Sequence, residues 1–457
     1  MPTGVDNGDT AWLMASTAMV LLMTPGLAFF YGGMVRTSHV LTMLRMSFAC
    51  LAIVTVIWFL FGYSLAFSGD VGGAGLIGNL DQVVFHGIGP DQLTGRIPTL
   101  IYSCFMLSFA IITVALISGS IAGRARFDGW MVFAGIWTVL VYIPLAHWVF
   151  SESGWVTHNL GALDFAGGTV VELNSGMAGL ACALALGHRK DFARIPSRPH
   201  SIPLVTVGLA LLWFGWFGFN AGSALQDQGA APAAFINTQF GAAGAMVGWV
   251  IMDRLRFGKV DMIGVLTSAV AGMVAITPAC GEVNTLGAIL IGLAAGVVCS
   301  FAIGFKYRFN IDDTLDVVGV HGWGGIVGML AIGFFATGTF TGKEGLFYGG
   351  DAALLGKQAV ALLACGAYSF VVTYLIARGV EKTIGFRAKD EYSEVPGGKQ
   401  ERAYAFGTLQ ELEDMLTPTA RSRAHPDAAV EESSETDSEV LARVRAALAA
   451  RDDASGR

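Results

Sequence analysis

The stretch "GGTVVELNSGMAG", residues 167–179, sets the carboxylate of Glu172 inside a run of Val, Leu, Met and small residues with no Lys or Arg nearby. Moving an ionised carboxylate into a dry apolar phase costs on the order of several kcal/mol unless the group is paired or neutralised. Either the segment is not buried, or Glu172 has a partner and a task. The surrounding chain points to burial. Of 457 residues, 54% are apolar and only 14% charged, and the mean hydropathy is +0.59. A soluble domain carries charge on about a quarter of its residues.

Runs of about 20 nearly uncharged residues recur from Ala11 to Ala377, the pattern of a helical protein that crosses a membrane many times. Eleven spans are expected, over 10–31, 46–67, 98–121, 129–150, 164–187, 202–222, 232–252, 262–281, 284–305, 317–337 and 354–377. Many of the glycines stand in small-xxx-small spacing ("GLAFFYGG", "GMAGLACALALG"), which suits close helix packing in lipid. The six cysteines lie singly, without the spacing of a disulfide set or a zinc site, and read as small packing residues. The acidic opening "MPTGVDNGDT" lacks the basic region of a signal peptide, so the first apolar run is expected to remain as a helix.

Charge sets an expected orientation. Alternate loops hold thirteen basic residues, among them Arg36, Arg124, Arg126, Arg189, Lys190, Arg194, Arg198, Arg254 and Lys306. The other loops hold only Arg96 and Lys343. By the positive-inside rule the N-terminus lies outside and the C-terminus in the cytoplasm of a cell membrane. After Arg378 the chain turns charged and polar. Residues 1–385 read as the membrane domain and 386–457 as a cytoplasmic tail, disordered or regulatory, with an amphipathic helix after Ser438 that could dock.

The fifth and tenth spans share a pattern. "DFAGGTVVELNSGMAG" (164–179) and "DTLDVVGVHGWGGIVG" (313–328) both fit Asp-x7-[Glu/His]-x3-Gly-x2-Gly. "LAFFYGG" (27–33) and "FGFNAGS" (217–223) match in the first and sixth. An offset of five spans, an odd number, gives the two halves opposite orientation, the signature of an inverted-repeat transporter: spans 1–5, spans 6–10 and one extra helix. Eight residues of helix advance about 12 Å into a core about 30 Å thick. Glu172 and His321 therefore approach the midplane from opposite sides, where a pseudo-two-fold axis can join them. Polar groups inside membranes usually mark a substrate or proton path, although a helix–helix hydrogen bond is the plainer reading of either residue alone. Asp164 and Asp313 read as helix caps.

The strings "LLMTPGLAFFYGGMVR" (21–36), "FAIITVALISGSIAGR" (109–124), "YIPLAHWVF" (142–150), "WFGWFGFNAGSA" (213–224), "TPACG" (277–281) and "DDTLDVVGVHGWGGIVG" (312–328) resemble, in order and spacing, the ammonium transporter (Amt/Mep/Rh) family, in its Amt/Mep branch. The resemblance implies eleven spans, an external N-terminus, homotrimers and one pore per protomer. It places Phe109 and Phe219 in a stacked aromatic constriction, Phe150 and Ser223 at an external recruitment site, Trp216 near the pore, and Asp164 in support of the vestibule. His321 falls on the second of the family's twin pore histidines and Glu172 on the first. The recruitment tryptophan falls on Phe150, a weaker cation–π face, with Trp148 two residues earlier. Without the motif, Phe109 and Phe219 read as packing residues, Ser223 as bonded to its own helix, and His147 as serving a backbone carbonyl.

The expected function is uptake of NH4+ by deprotonation at the outer gate, passage of NH3 and a proton relay through Glu172 and His321. The alternative is an ammonium sensor signalling through its tail. A PII signal protein at the cytoplasmic face is implied by the resemblance, although "EYSEVPGGKQERAYAFG" (391–407) matches the usual tail only loosely. No enzyme activity, metal, cofactor or nucleic-acid partner is expected: zinc needs at least three protein ligands, and no HExxH pairing is present.

Overall fold

A computed structural model describes residues 4–190, 192 and 199–388. The tail features at 391–407 and after Ser438, and the loop residues Arg194 and Arg198, lie outside the described residues. Among those described, ten helices are long and apolar enough to cross a membrane. They are α1 (Asn7–Met34), α2 (Thr37–Phe67), α3 (Thr99–Ile121), α4 (Phe127–Leu160), α5 (Gly168–Leu186), α6 (Ile202–Gly222), α7 (Ala230–Phe257), α9 (Thr285–Arg308), α10 (Val318–Phe335) and α11 (Ala352–Thr383). Between α7 and α9 lies the shorter apolar helix α8 (Met262–Ile276). A two-stranded hairpin, β1 (Leu93–Thr94) with β2 (Ile97–Pro98), precedes α3.

The helices begin where side chains can replace the missing backbone partners of a first turn. Asp6 accepts from the Asp9 N–H at 3.0 Å, Ser201 from Leu204 at 3.3 Å, Asn284 from Gly287 at 2.9 Å and Asp351 from Ala353 at 2.8 Å. Helix ends extend past the apolar runs, because hydropathy marks only the lipid-facing middle of a helix. α7 carries Arg254 and Arg256 in its last turn and α11 runs on to Thr383. α8 stops at Ile276, short of the expected 281, where the chain turns through Pro278.

Glycine sets the closest helix crossings. A Cβ added to Gly208 would stand 2.2 Å from the Phe30 nitrogen, joining α6 to α1. One on Gly292 would stand 2.1 Å from the Gly241 carbonyl oxygen, joining α9 to α7. Neither backbone could approach so near with a larger residue between them. α11 packs along α5 and α10. Beyond it, the expected domain boundary at 385/386 falls inside a packed segment. Phe386 is buried and stacks on Phe133 at 5.1 Å, and the Arg126 and Ala388 N–H groups donate to the carbonyls of Phe386 and Arg124, both at 2.8 Å.

Candidate functional site

α5 and α10 open in the same way. Gly167 adopts φ 107°, a left-handed turn that admits glycine readily. The Asp164 carboxylate folds back over this turn and accepts from the N–H groups of Gly167 (3.0 Å), Gly168 (2.6 Å) and Thr169 (2.8 Å), and from the Thr169 hydroxyl. Asp313 does the same for α10, accepting from Val317 at 3.2 Å, Val318 at 2.7 Å and the Ser120 hydroxyl at 2.8 Å. Each helix then starts with a wide π-turn, Gly168–Leu173 and Val318–Gly322, which carries Glu172 in one case and His321 in the other. Such turns re-aim side chains and concentrate at functional sites.

The two π-turns meet. Nδ1 of His321 lies 2.7 Å from Oε2 of Glu172, and both side chains are buried. A Cβ on Gly176 would stand 2.4 Å from the Gly322 Cα, and one on Gly325 would stand 3.0 Å from the Leu173 nitrogen. The glycine after each polar residue thus makes room for the opposite helix, which explains why the shared motif needs glycine there. Between the two groups a single proton suffices: either Nδ1–H donates to the carboxylate, or the carboxyl O–H donates to a neutral Nδ1.

Glu172 and His321 line a narrow cavity with about 20 Å³ of room for the centre of a water-sized molecule. Its other walls are mainly apolar, from Met23, Leu27, Ile112, Leu212 and Val270. Phe219 and Trp216 bound it as well. Phe219 stacks on Phe109 with ring centroids 4.0 Å apart and planes at 15°, and both rings are buried. Phe150, half-buried, meets Phe109 edge-on at 6.2 Å. Trp216 is held by its indole N–H donating to the Thr277 hydroxyl at 2.8 Å.

The remaining expected site residues are engaged locally. The Ser223 hydroxyl donates to the Phe219 carbonyl of its own helix at 2.8 Å. Asp164 spends its oxygens on its own turn. Trp148 donates to the Leu76 carbonyl at 2.8 Å, and its ring contacts are Trp155 and Tyr368 rather than the phenylalanine stack. His147 places Nδ1 2.8 Å from the Ala66 carbonyl oxygen. Two residues that sequence reasoning passed over belong to the site. Phe105 touches Phe109 at 4.9 Å, one helical turn earlier on the same face. Tyr31 lines the cavity and donates to the Leu116 carbonyl at 3.0 Å. Its position inside "LAFFYGG" was the available signal.

Comparison with known proteins agrees with this architecture. The model of the Ammonium Transporter Family matches residues 11–401. Ammonium transporters of Mycobacterium tuberculosis and Bacillus subtilis are 46% and 45% identical, over 84% of this chain and 87% and 94% of theirs. The crystal structure of Saccharomyces cerevisiae Mep2 superposes with a TM-score of 0.81 at 32% identity, covering 86% of this chain and 90% of that one. The chain belongs to the ammonium transporter family.

Proposed function

We propose that this multi-pass membrane protein takes ammonium into the cell electrogenically. Carrying intact NH4+ through a narrow, mainly apolar cavity would strip its hydration at a prohibitive cost. Splitting it avoids that cost: NH4+ is drawn to the ring face of Phe150, gives up one proton beside the Phe109–Phe219 stack, and crosses as neutral NH3. The proton passes to the Glu172–His321 pair, leaves on the far side and rejoins NH3, so that one positive charge moves per ammonium. The observation that carries this reading is the 2.7 Å contact between a carboxyl group and an imidazole inside an otherwise apolar conduit.

The sequence-based assignments complete the proposal: N-terminus outside, tail in the cytoplasm, a homotrimer in the plasma membrane, Phe150 and Ser223 recruiting the ion, and Asp164 supporting the entrance through its turn. PII docking is the proposed cytoplasmic contact, read by pull-down of PII with the full chain and with one lacking residues 379–457. Solid-supported-membrane currents on purified protein test the relay. Glu172→Gln and His321→Ala should each cut the ammonium current at least about tenfold, the loss typical of removing a proton-transfer group. Currents unchanged in size, pH dependence and ion selectivity would sink the relay.

A further inference from the structure

The α4–α5 connection, the α10–α11 connection and the first turns of α11 meet at Gly161. The Lys343 ammonium donates to the Gly161 carbonyl at 3.0 Å. A Cβ on Gly161 would stand 3.4 Å from the Lys357 Nζ and 3.7 Å from the Lys343 Nζ, so both ammonium groups face one spot. Among the described residues neither has a carboxylate in ion-pair contact, and Lys357 has no hydrogen-bond partner. Two acids of the region are engaged elsewhere: Glu282 accepts from the Thr341 hydroxyl at 3.0 Å and Asp351 caps α11. Burial and the charge of Lys357 push the Lys343 pKa below its ordinary value, which the charge of Glu282 offsets only in part. An anion at this spot would cancel the repulsion between the two cations and accept hydrogen bonds from both.

Lys357 also stands at the head of an apolar track. Val360, Leu363, Ala367, Val371 and Leu375 follow it at helical spacing along α11, and all five are exposed. α11 packs on α5 and α10 with its other side. On a helix long enough to cross a membrane, such a face meets acyl chains. Tyr348 of the α10–α11 connection is exposed as well, with its hydroxyl accepting from Asn284 at 2.6 Å. Tyrosines with one apolar side and one polar end gather at the headgroup level of a bilayer, where lysines also hold their charges.

We propose that the Lys343–Lys357 pair and the α11 track bind one anionic phospholipid, its phosphate between the two ammonium groups and its acyl chains along the track. A phospholipid supplies the anion and the apolar length in a single molecule. The inference rests on the membrane fold and stands apart from the transport reading. Its consequence reaches the pore helix α5. Gln358, the residue after Lys357, accepts from the Leu163 N–H and donates to the Leu163 carbonyl, both at 2.7 Å, immediately ahead of the Asp164 turn. A lipid that joins Lys357 to the Gly161 connection would therefore fasten the entry to α5 against α11, and a ligand bound only by the folded state raises its stability.

The test is native mass spectrometry of the full chain in detergent, titrated with phosphatidylglycerol or with phosphatidylcholine of the same acyl chains, alongside thermal unfolding. Phosphatidylglycerol should bind more tightly than phosphatidylcholine and raise the melting temperature further. Lys343→Gln and Lys357→Gln should each weaken the first phosphatidylglycerol by about fivefold, and the double variant by more. Lys357→Arg should retain binding, and Lys259→Gln, on the opposite side of the membrane by span count, should leave it unchanged. Lys357 holds no hydrogen bond within the protein, so Lys357→Gln separates lipid loss from misfolding. Equal binding of the two lipids overturns the site, as does undiminished phosphatidylglycerol binding in both Lys357→Gln and the double variant. Equal protection by inorganic phosphate would make this a free-anion site and overturn the lipid. A changed oligomeric state with unchanged lipid affinity would make the track a contact between copies of this chain and overturn it too.

Discussion

Phe150 offers a phenyl ring where an indole would bind a cation more strongly, and the space around it is set by a glycine: a Cβ on Gly167 would stand 3.2 Å from Phe150 Cζ. The whole cation–π attraction is about 0.5–1 kcal/mol at an exposed site, so the gain from a larger π-face is at most of that size. Phe150→Trp should therefore lower half-saturating ammonium by at most about fivefold with little change in maximal current, as read by concentration series of transport currents. Glu172 and His321 separate stability from transport. His321→Leu leaves a buried carboxylate without its partner, a loss of about 3–5 kcal/mol, whereas replacing both members with leucine is close to neutral. Thermal unfolding in detergent should find the Glu172→Leu/His321→Leu protein more stable than His321→Leu alone, while the proposed relay predicts that neither passes current.

The helices α5 and α10 cross where glycine allows backbone to touch backbone. Gly176→Ala should cost about 1–3 kcal/mol through overpacking against Gly322 and should also lower transport, because it pushes Glu172 and His321 apart. Gly356 in α11 is the matched control. Nothing lies within 4 Å of a Cβ placed there, so Gly356→Ala should leave transport intact and gain up to about 1 kcal/mol from helix propensity. Fluorescence-detected unfolding of both variants, alongside their currents, checks the pair. If Gly176→Ala behaves like Gly356→Ala, the close crossing does not position the site.

Across the whole molecule, a buried ionic cluster ties the α9–α10 connection to the chain after α3. Asp312 is fully buried, with the Arg124 guanidinium at 3.0 Å and a two-point contact from Arg189 at 2.8 and 2.9 Å. Burial alone would raise the Asp312 pKa. The hydrogen-bonded Arg189 and the charge of Arg124 outweigh it and hold the group below its ordinary value of 3.8. A depressed carboxylate pKa contributes stability that is present above that ordinary value and is lost as pH falls through the folded pKa. Asp312→Asn should destabilise the protein by about 3–5 kcal/mol at neutral pH, and its melting temperature should change less than that of the unmodified protein as pH drops below about 4. Phe386, stacked on Phe133, ties the chain after α11 to the same region. Phe386→Ala should cost about 3–5 kcal/mol of local packing and show as faster proteolysis between residues 384 and 388.

The amino-acid sequence by itself determined the membrane class, the approximate helix positions and the pairing of the α5 and α10 motifs. Hydropathy, glycine spacing and the position of an isolated charge are local or repeated properties, and a linear reading detects them. Three-dimensional packing alone decided what the side chains touch. It turned Trp148 toward Tyr368, brought Tyr31 into the cavity wall beside Glu172, and buried Phe386 against Phe133. Each outcome depends on which residue, distant in sequence, fills the adjoining space, and such contacts leave no periodic trace along the chain.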